Sequence, residues 1–248
     1  MKKVFALLLA LCMVFALAAC GQSGSKAGTD INAKSEGVLT YDEYVAAELQ
    51  TEVTIEAYIQ AKQVYADAYG NTSLYLQDGD GAYFVYRIGC TADEYDKFVI
   101  GQKIKVTGYK SEWSGEVEIA DVSAFEMEDG TYTAPVFDVT SLLGSDELAD
   151  HQNQFVAFKG MTVEEIGDGA AFLYNWDGSG EEGSDLYFNV SKDGVTYNFT
   201  VESDLCGAGT EVYEAVKGLS VGDVIDLEGF LYWYNGANPH ITSVTKVG

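Results

Sequence analysis

An internal repeat constrains this chain more than any other feature. FVIGQKIKVTGY, Phe98 to Tyr109, aligns with LSVGDVIDLEGF, Leu219 to Phe230, at a constant offset of 121 residues. Gly101 falls on Gly222, Ile104 on Ile225, Gly108 on Gly229 and, further on, Gly115 on Gly236. Upstream the order persists at smaller offsets, as it does when loops differ in length. Leu74-Tyr75-Leu76 answers Leu186-Tyr187-Phe188, and VTIEAYI from Val53 answers VAFKGMTV from Val156. The chain is two copies of one unit, each of about 100 residues, joined around Thr131 to Pro135.

Each copy reads as strands with one short helix. Val53, Ile55 and Ala57 alternate with polar residues, which predicts a strand over about residues 51–65. Two more strands flank Asp78 to Gly81. Thr91 then caps a helical turn from Asp93 to Phe98, as Thr210 caps Glu211 to Val216. Ile104, Val106 and Gly108 alternate with Lys103, Lys105 and Thr107, and a last strand runs through Val117, Ile119 and Val122. A further short helix is expected over Thr40 to Glu48. With 27 glycines and only two prolines, Pro135 and Pro239, short strands joined by tight turns suit the composition.

Three strands, a helix and two strands is the order of the OB-fold, a five-stranded partly open barrel. LYLQDGDGAYFVY, Leu74 to Tyr86, resembles the strand-two to strand-three hairpin of bacterial OB domains, and GQKIKVTGYKSEWSGEVEI resembles their strands four and five. The expected class is all-β with short helices, as two tandem five-stranded OB-like barrels. Their bounds are 39–130 and 136–248.

The N-terminus carries an address. Lys2 and Lys3 precede an apolar run from Val4 to Leu17, followed by small residues, in the order of a secretory signal over residues 1–19. At a length below the roughly 20 residues of a membrane span, the run is short for a permanent helix. Leu17-Ala18-Ala19-Cys20-Gly21 resembles the lipobox of bacterial lipoproteins, which implies cleavage before Cys20 and lipid on its thiol. Residues 20–38, rich in Gly, Ser and small polar groups, read as a flexible tether. A lipobox with two OB modules is similar to surface lipoproteins of Gram-positive anaerobes. The resemblance implies residence on the outer face of the cytoplasmic membrane, or on the outer membrane of a Gram-negative host.

Charge then bears on the ligand. The chain carries −25, and losing residues 1–19 removes two lysines and leaves −27. Residues 52–129 hold 6 Lys and Arg against 15 Asp and Glu, and residues 151–248 hold 4 against 15. Single strands are held by a positive groove with stacked bases. Phosphate contacts supply most non-specific affinity, so nucleic acid is disfavoured although the fold suggests it. The one basic cluster is Lys103, Lys105 and Lys110. Aromatic rings near Asn, Asp and Gly suit sugars better. Tyr75, Tyr109, Trp113, Tyr232, Trp233 and Tyr234 are the candidate ligand-binding residues. Trp113 and the Tyr232 to Tyr234 run fall in the loop between strands four and five, which OB-folds use for oligosaccharides and oligonucleotides alike. The same rings could instead cap the barrel ends.

Other chemistry has less support. Counting an EF-hand loop from Asp78 places Asp80 at position 3 but Ala82 at 5, Tyr83 at 6 and Gly89 at 12, where Gly and Glu belong at the last two. Asp78 to Gly81 is therefore a hairpin bend, matched by Lys192-Asp193-Gly194 in the second copy. Asp177, Glu181 and Asp185 are weak candidates for a calcium loop, with no fixed ligand spacing, so no cofactor is expected. No CxxC pair, GxSxG elbow or phosphate loop occurs. Cys90 and Cys206 read either as one bridge between the units or, more simply, as two thiols. The sequence points to a lipid-anchored, non-enzymatic binding or scaffolding protein for an envelope glycan, peptide or protein. Nucleic-acid binding is the alternative, and an envelope hydrolase using paired carboxylates trails both.

Overall fold

The computed structural model of the protein describes residues 30–247. The signal segment, Cys20 and the first part of the tether lie outside the described residues. A capped helix α1 (Tyr41–Ala46) leads into five strands: β1 (Glu52–Lys62), β2 (Asn71–Gln77), β3 (Ala82–Gly89), β4 (Gln102–Trp113) and β5 (Glu116–Thr131). They close as β1-β2-β3-β5-β4, with β4 returning to β1 and with β3 and β5 parallel. Between β3 and β4 sits α2 (Ala92–Tyr95). This is the OB order.

The chain repeats it. A short β6 (Phe137–Asp138) and two 3-10 turns precede β7 (Phe155–Glu164), and β8 (Leu173–Tyr174) is a further short strand at the edge. Then come β9 (Leu186–Lys192), β10 (Val195–Val201), α3 (Glu211–Lys217), β11 (Val224–Phe230) and β12 (His240–Lys246). β7 pairs with both β9 and β11, while β10 runs parallel to β12, so the second barrel closes in the same order.

Local chemistry sets these elements. Thr40 and Thr91 form reciprocal capping boxes with Glu43 and Glu94, and Thr210 accepts from Tyr213 N, so each helix starts where its hydroxyl satisfies orphan amides. Along β4, Ile104 and Val106 face the core while Lys103 and Lys105 face outward. Gly108 and Gly229 are equivalent again. Each sits at a register shift between the fourth and fifth strands of its barrel, where an added Cβ would lie 2.8 Å from Ala120 O or 2.2 Å from His240 O.

Asp78 closes the β2–β3 hairpin and caps its own turn. Its Oδ1 accepts from Asp80 N and Gly81 N, and its Oδ2 accepts from the Lys34 ammonium. That last contact alters one expectation. Residues 30–37, assigned to the free tether, are pinned to the first barrel. Asn32 donates to Asp80 at 2.7 Å, Lys34 to Glu56 O at 2.6 Å, and Ser35 N to the Glu56 carboxylate at 3.2 Å. Short polar residues gave little apolar signal of this docking, because hydrogen bonds and the Lys34–Asp78 ion pair make most of it.

The two barrels meet along a seam. Tyr75, Phe84 and Phe230 form a buried cluster flanked by Phe155, Leu205 and Tyr232, and the Tyr75 ring stacks on Phe230 at 4.3 Å. Backbone groups of each barrel are matched by side chains of the other. Gln152 accepts from Val117 N and donates to Gly115 O, Asn153 donates to Val117 O, and Phe155 N donates to Gln77. Gly115 has φ +91°, and a Cβ there would come within 2.8 Å of the Trp233 ring.

Candidate functional site

On the second barrel, alternation along β9 turns Leu186, Phe188 and Val190 into the core and leaves Tyr187 and Asn189 facing out. On β10, Thr200 stands opposite Tyr187 and Asn198 opposite Asn189. The β7–β9 segment, longer than its counterpart in the first barrel, brings Ile166 and Trp176 over one end of this face, and the β11–β12 loop brings Tyr232 to Asn238 over the other. Together they wall a groove of about 860 Å³.

Its lining has one chemical character. Four asparagines (Asn189, Asn198, Asn235, Asn238) and four aromatics (Trp176, Tyr187, Tyr232, Tyr234) line it, with Glu202 and His240 at its inner end, and no Lys or Arg. Trp176 is 75 % exposed and Tyr234 55 %, so both rings offer open faces. The amides are held in a chain: Asn198 donates to Asn189 Oδ1 at 3.0 Å, Asn238 donates to Asn198 O at 3.1 Å, and Thr200 donates to Asn238 Oδ1 at 3.1 Å. Fixed amides with spare donors and acceptors beside exposed rings can hydrogen-bond a hydroxylated ligand edgewise while stacking its apolar face.

At the inner end, Tyr75 Oη lies 2.8 Å from His240 Nδ1, and the His240 ring stacks on Tyr232 at 4.2 Å. Burial drives the His240 imidazole down to about 3, so it is neutral at ordinary pH. Burial pushes the Glu202 carboxyl up to about 8, against two hydrogen bonds from Gln63 Nε2 at 2.7 and 2.8 Å. Both shifts favour a neutral pair over an ion pair, although Glu202 Oε2 lies 3.6 Å from His240 Nδ1. Desolvation outweighs the attraction here, and the groove's inner end is uncharged near pH 7.

No family model and no curated protein matches this sequence. Among solved structures, the chain is similar to the p204 HINb domain at 11 % identity, covering 81 % of this chain and 100 % of that one, with a TM-score of 0.35. It is similar to the hypothetical protein YgiW of E. coli at 18 % identity over 38 % of this chain and 94 % of that one, TM-score 0.28. A replication protein A heterotrimer bound to single-stranded DNA matches at 15 % identity over 78 % of this chain and 50 % of that one, TM-score 0.31. The barrel assignment rests on the strand order above, and at these scores the neighbours' ligands carry no weight for this chain.

The expected site residues divide among three places. Tyr232 and Tyr234 line the groove. Tyr75 does not offer itself to a ligand: it is fully buried against Phe230 and His240, because the face that carries it is the one the second barrel covers. Trp233 also belongs to the seam, where its backbone N–H donates to Glu116 at 2.8 Å and its ring meets Gly115. Trp113, 62 % exposed, and Tyr109 stand on β4 outside the groove.

The remaining candidates resolve individually. Asp177 accepts from Ser179 N, Asp185 accepts from Ser203 N and Oγ, and neither is turned toward Glu181 as a shared ligand set. Among the described residues, no group of three or more His, Cys, Asp or Glu is placed to hold a metal ion. Cys90 and Cys206 are unbridged.

The basic cluster is spent within the first barrel. Lys103 and Lys105 each pair with Glu56 and Glu128 at 2.7 to 3.1 Å, and Lys110 is buried, donating to the carbonyls of Tyr44, Val45 and Ala47. Burial pushes Glu56 up, but the hydrogen bonds from Lys103, Ser35 and Lys105 win and hold it at about 2.

Sequence reasoning missed Trp176, Asn189, Asn198, Asn238, Glu202 and His240. The period-two pattern of LYFNV could have placed Asn189 beside Tyr187, but Asn198 needs the β9–β10 register and Trp176 needs the path of the inserted segment.

Proposed function

We propose that this is a lipid-anchored, non-enzymatic binding protein of the cell envelope, and that its second barrel holds a neutral glycan in the Trp176–Tyr234 groove. The observation that carries this reading is the lining itself: four amides and four aromatics with no cation. Sugars stack on aromatic faces and exchange hydrogen bonds with amides, whereas single-stranded nucleic acid needs positive charge along the backbone. Lys103, Lys105 and Lys110 of the first barrel are already paired with carboxylates or carbonyls, which weighs against phosphate contacts by that cluster. The anchor is read from Cys20 in its lipobox setting behind the apolar run from Val4 to Leu17.

The test is calorimetric titration of the mature chain, carrying Cys20→Ser so that it stays soluble, against neutral oligosaccharides and against single-stranded DNA at two salt concentrations. Glycan binding that is insensitive to salt and weakened by Tyr234→Ala is expected. Micromolar DNA binding that falls steeply with salt would overturn the reading. For the anchor, labelled palmitate should enter the wild-type protein and not the Cys20→Ser protein.

A hydrolase reading has one observation in its favour, the raised Glu202 carboxyl at the inner end of the groove. Glycoside hydrolysis ordinarily needs a pair of carboxyls across the bond, and Glu202 is the single carboxyl in the groove lining. Release of reducing ends from a bound glycan, abolished by Glu202→Gln, would establish it.

A further inference from the structure

We propose that the groove does not end at the second barrel but continues across the seam onto the first, and that its ligand is a linear oligosaccharide long enough to touch both barrels. The inference rests on the glycan reading above. Beside the main groove lies a second cavity of about 260 Å³. The first barrel supplies Tyr69, Asn71, Ser73, Tyr86 and Arg87 to it, and the second supplies Asp204. Glu202, Tyr232 and His240 line both cavities. The two depressions therefore share a wall, formed by the Tyr232–His240 stack, and are two arms of one surface.

The first-barrel arm repeats the rings, amides and hydroxyls of the other and adds one cation, Arg87. Tyr69 is 79 % exposed, and Asn71 and Ser73 add an amide and a hydroxyl. The backbone is bent to display more. A register shift between Thr72 and Leu74 sets Tyr86 and Arg87 opposite Ser73, with Arg87 at φ +49°. The strand's alternation breaks there, and Tyr86 and Arg87 are both exposed although they are neighbours in sequence. Arg87 N donates to Ser73 Oγ at 3.2 Å, and its guanidinium lies 4.8 Å from the centre of the Tyr86 ring. A left-handed backbone at a long, non-glycine residue is a strained arrangement of the kind found beside binding sites. Here it presents a braced ring at the rim of the seam cavity.

Size points the same way. The main groove alone is near the upper end of the roughly 300–1,000 Å³ that small-molecule sites occupy, and the two arms together exceed it. A ligand that fills both is an oligomer, with open rings Trp176 and Tyr234 on one side of the Tyr232–His240 wall and Tyr69 and Tyr86 on the other.

The experiment compares chito-oligosaccharides of two and six rings by calorimetry on the mature Cys20→Ser chain. The six-ring probe is expected to bind at least tenfold more tightly than the two-ring probe. Tyr86→Ala should reduce the six-ring affinity to that of the two-ring probe and leave the latter unchanged, with Tyr69→Ala as a second variant at a more exposed position should the first misfold. Equal affinities for the two lengths, or a Tyr86→Ala and Tyr69→Ala pair that bind the six-ring probe like wild type, overturn the continuous groove while leaving the second-barrel site standing. No binding of either probe overturns both.

Discussion

Tyr75 and Tyr187 occupy the same position in the two barrels, the centre of the matched Leu-Tyr-Leu and Leu-Tyr-Phe strands, and they lead opposite lives. Tyr75 is sealed under the neighbouring barrel with its ring on Phe230 and its hydroxyl on His240. Tyr187 lines an open groove. The same five-strand order has produced one face used for assembly and one left free. Asymmetric docking explains this: the β2–β3 face of the first barrel is covered by the β11–β12 side of the second, so only the second barrel keeps its β9–β10 face exposed. Tandem duplication here gives one barrel whose face is closed by its neighbour and one whose equivalent face stays open.

The sharpest way to break the comparison is to truncate both tyrosines. Tyr75→Ala should cost about 3–5 kcal/mol of stability, the range for a buried aromatic, read from the denaturant midpoint. Tyr187→Ala should cost no more than about 1 kcal/mol, typical of a half-exposed site, while weakening glycan affinity. Equal stability losses would mean that the seam is not the structural face.

A second test concerns charge in the first barrel. Glu56 is fully buried and holds both Lys103 and Lys105. Removing one partner of a buried pair costs about 3–5 kcal/mol, and the partly exposed lysine ends place Glu56→Ala at about 3 kcal/mol by the same measure. Because Glu56 is depressed to about 2 from its ordinary value of 4.5, its contribution is full above 4.5. It is lost as the pH falls toward 2.

The seam carries the opposite sign. Glu116 is buried in the seam, where Trp233 N donates to its Oε2 at 2.8 Å and the Asn153 side chain also favours its charged form, while its Oε1 has no donor. Burial outweighs both and pushes that carboxyl up to about 8, and it pushes the neighbouring Glu118 up to about 7. A raised carboxyl favours the folded state while it is protonated. Stability from Glu116 is therefore full below 4.5 and declines as the pH rises through about 8, by an amount on the order of 2 kcal/mol or more. Glu116→Gln leaves the side chain neutral at every pH. It should flatten the decline and raise the melting temperature at pH 9 above that of wild type; a variant that melts with the wild-type pH profile would remove Glu116 from the seam's titration.

The smallest effect belongs to the groove. Trp176→Ala, at an exposed ring, should leave stability within about 0.5 kcal/mol and weaken glycan binding roughly tenfold, near 1.4 kcal/mol. A stability loss as large as that of Tyr75→Ala would show Trp176 to be structural.

Much of the fold was legible in the chain. The offset of 121 between Phe98–Tyr109 and Leu219–Phe230 corresponds to matched fourth strands, and Gly108 and Gly229 fall at matched register shifts. Thr91 and Thr210 begin helices where their hydroxyls predict them. These are local signals, carried by spacing within a dozen residues. The candidate groove was half legible: Tyr232 and Tyr234, named from their loop, line it, whereas Tyr75 and Trp233 had the same aromatic character and went to the seam. Nothing in a single strand says which of its two faces another barrel will cover.

The sequence by itself determined the two barrels, because alternation, turn residues and helix caps act over short distances and were present twice. Only the tertiary structure decided which barrel keeps an open face. That choice is made by contacts between residues more than 70 apart, such as Gln77 with Phe155, Gln63 with Glu202 and Tyr75 with His240. Such contacts leave no periodic trace in the chain, since each depends on the shape of a surface that exists only after both barrels have folded.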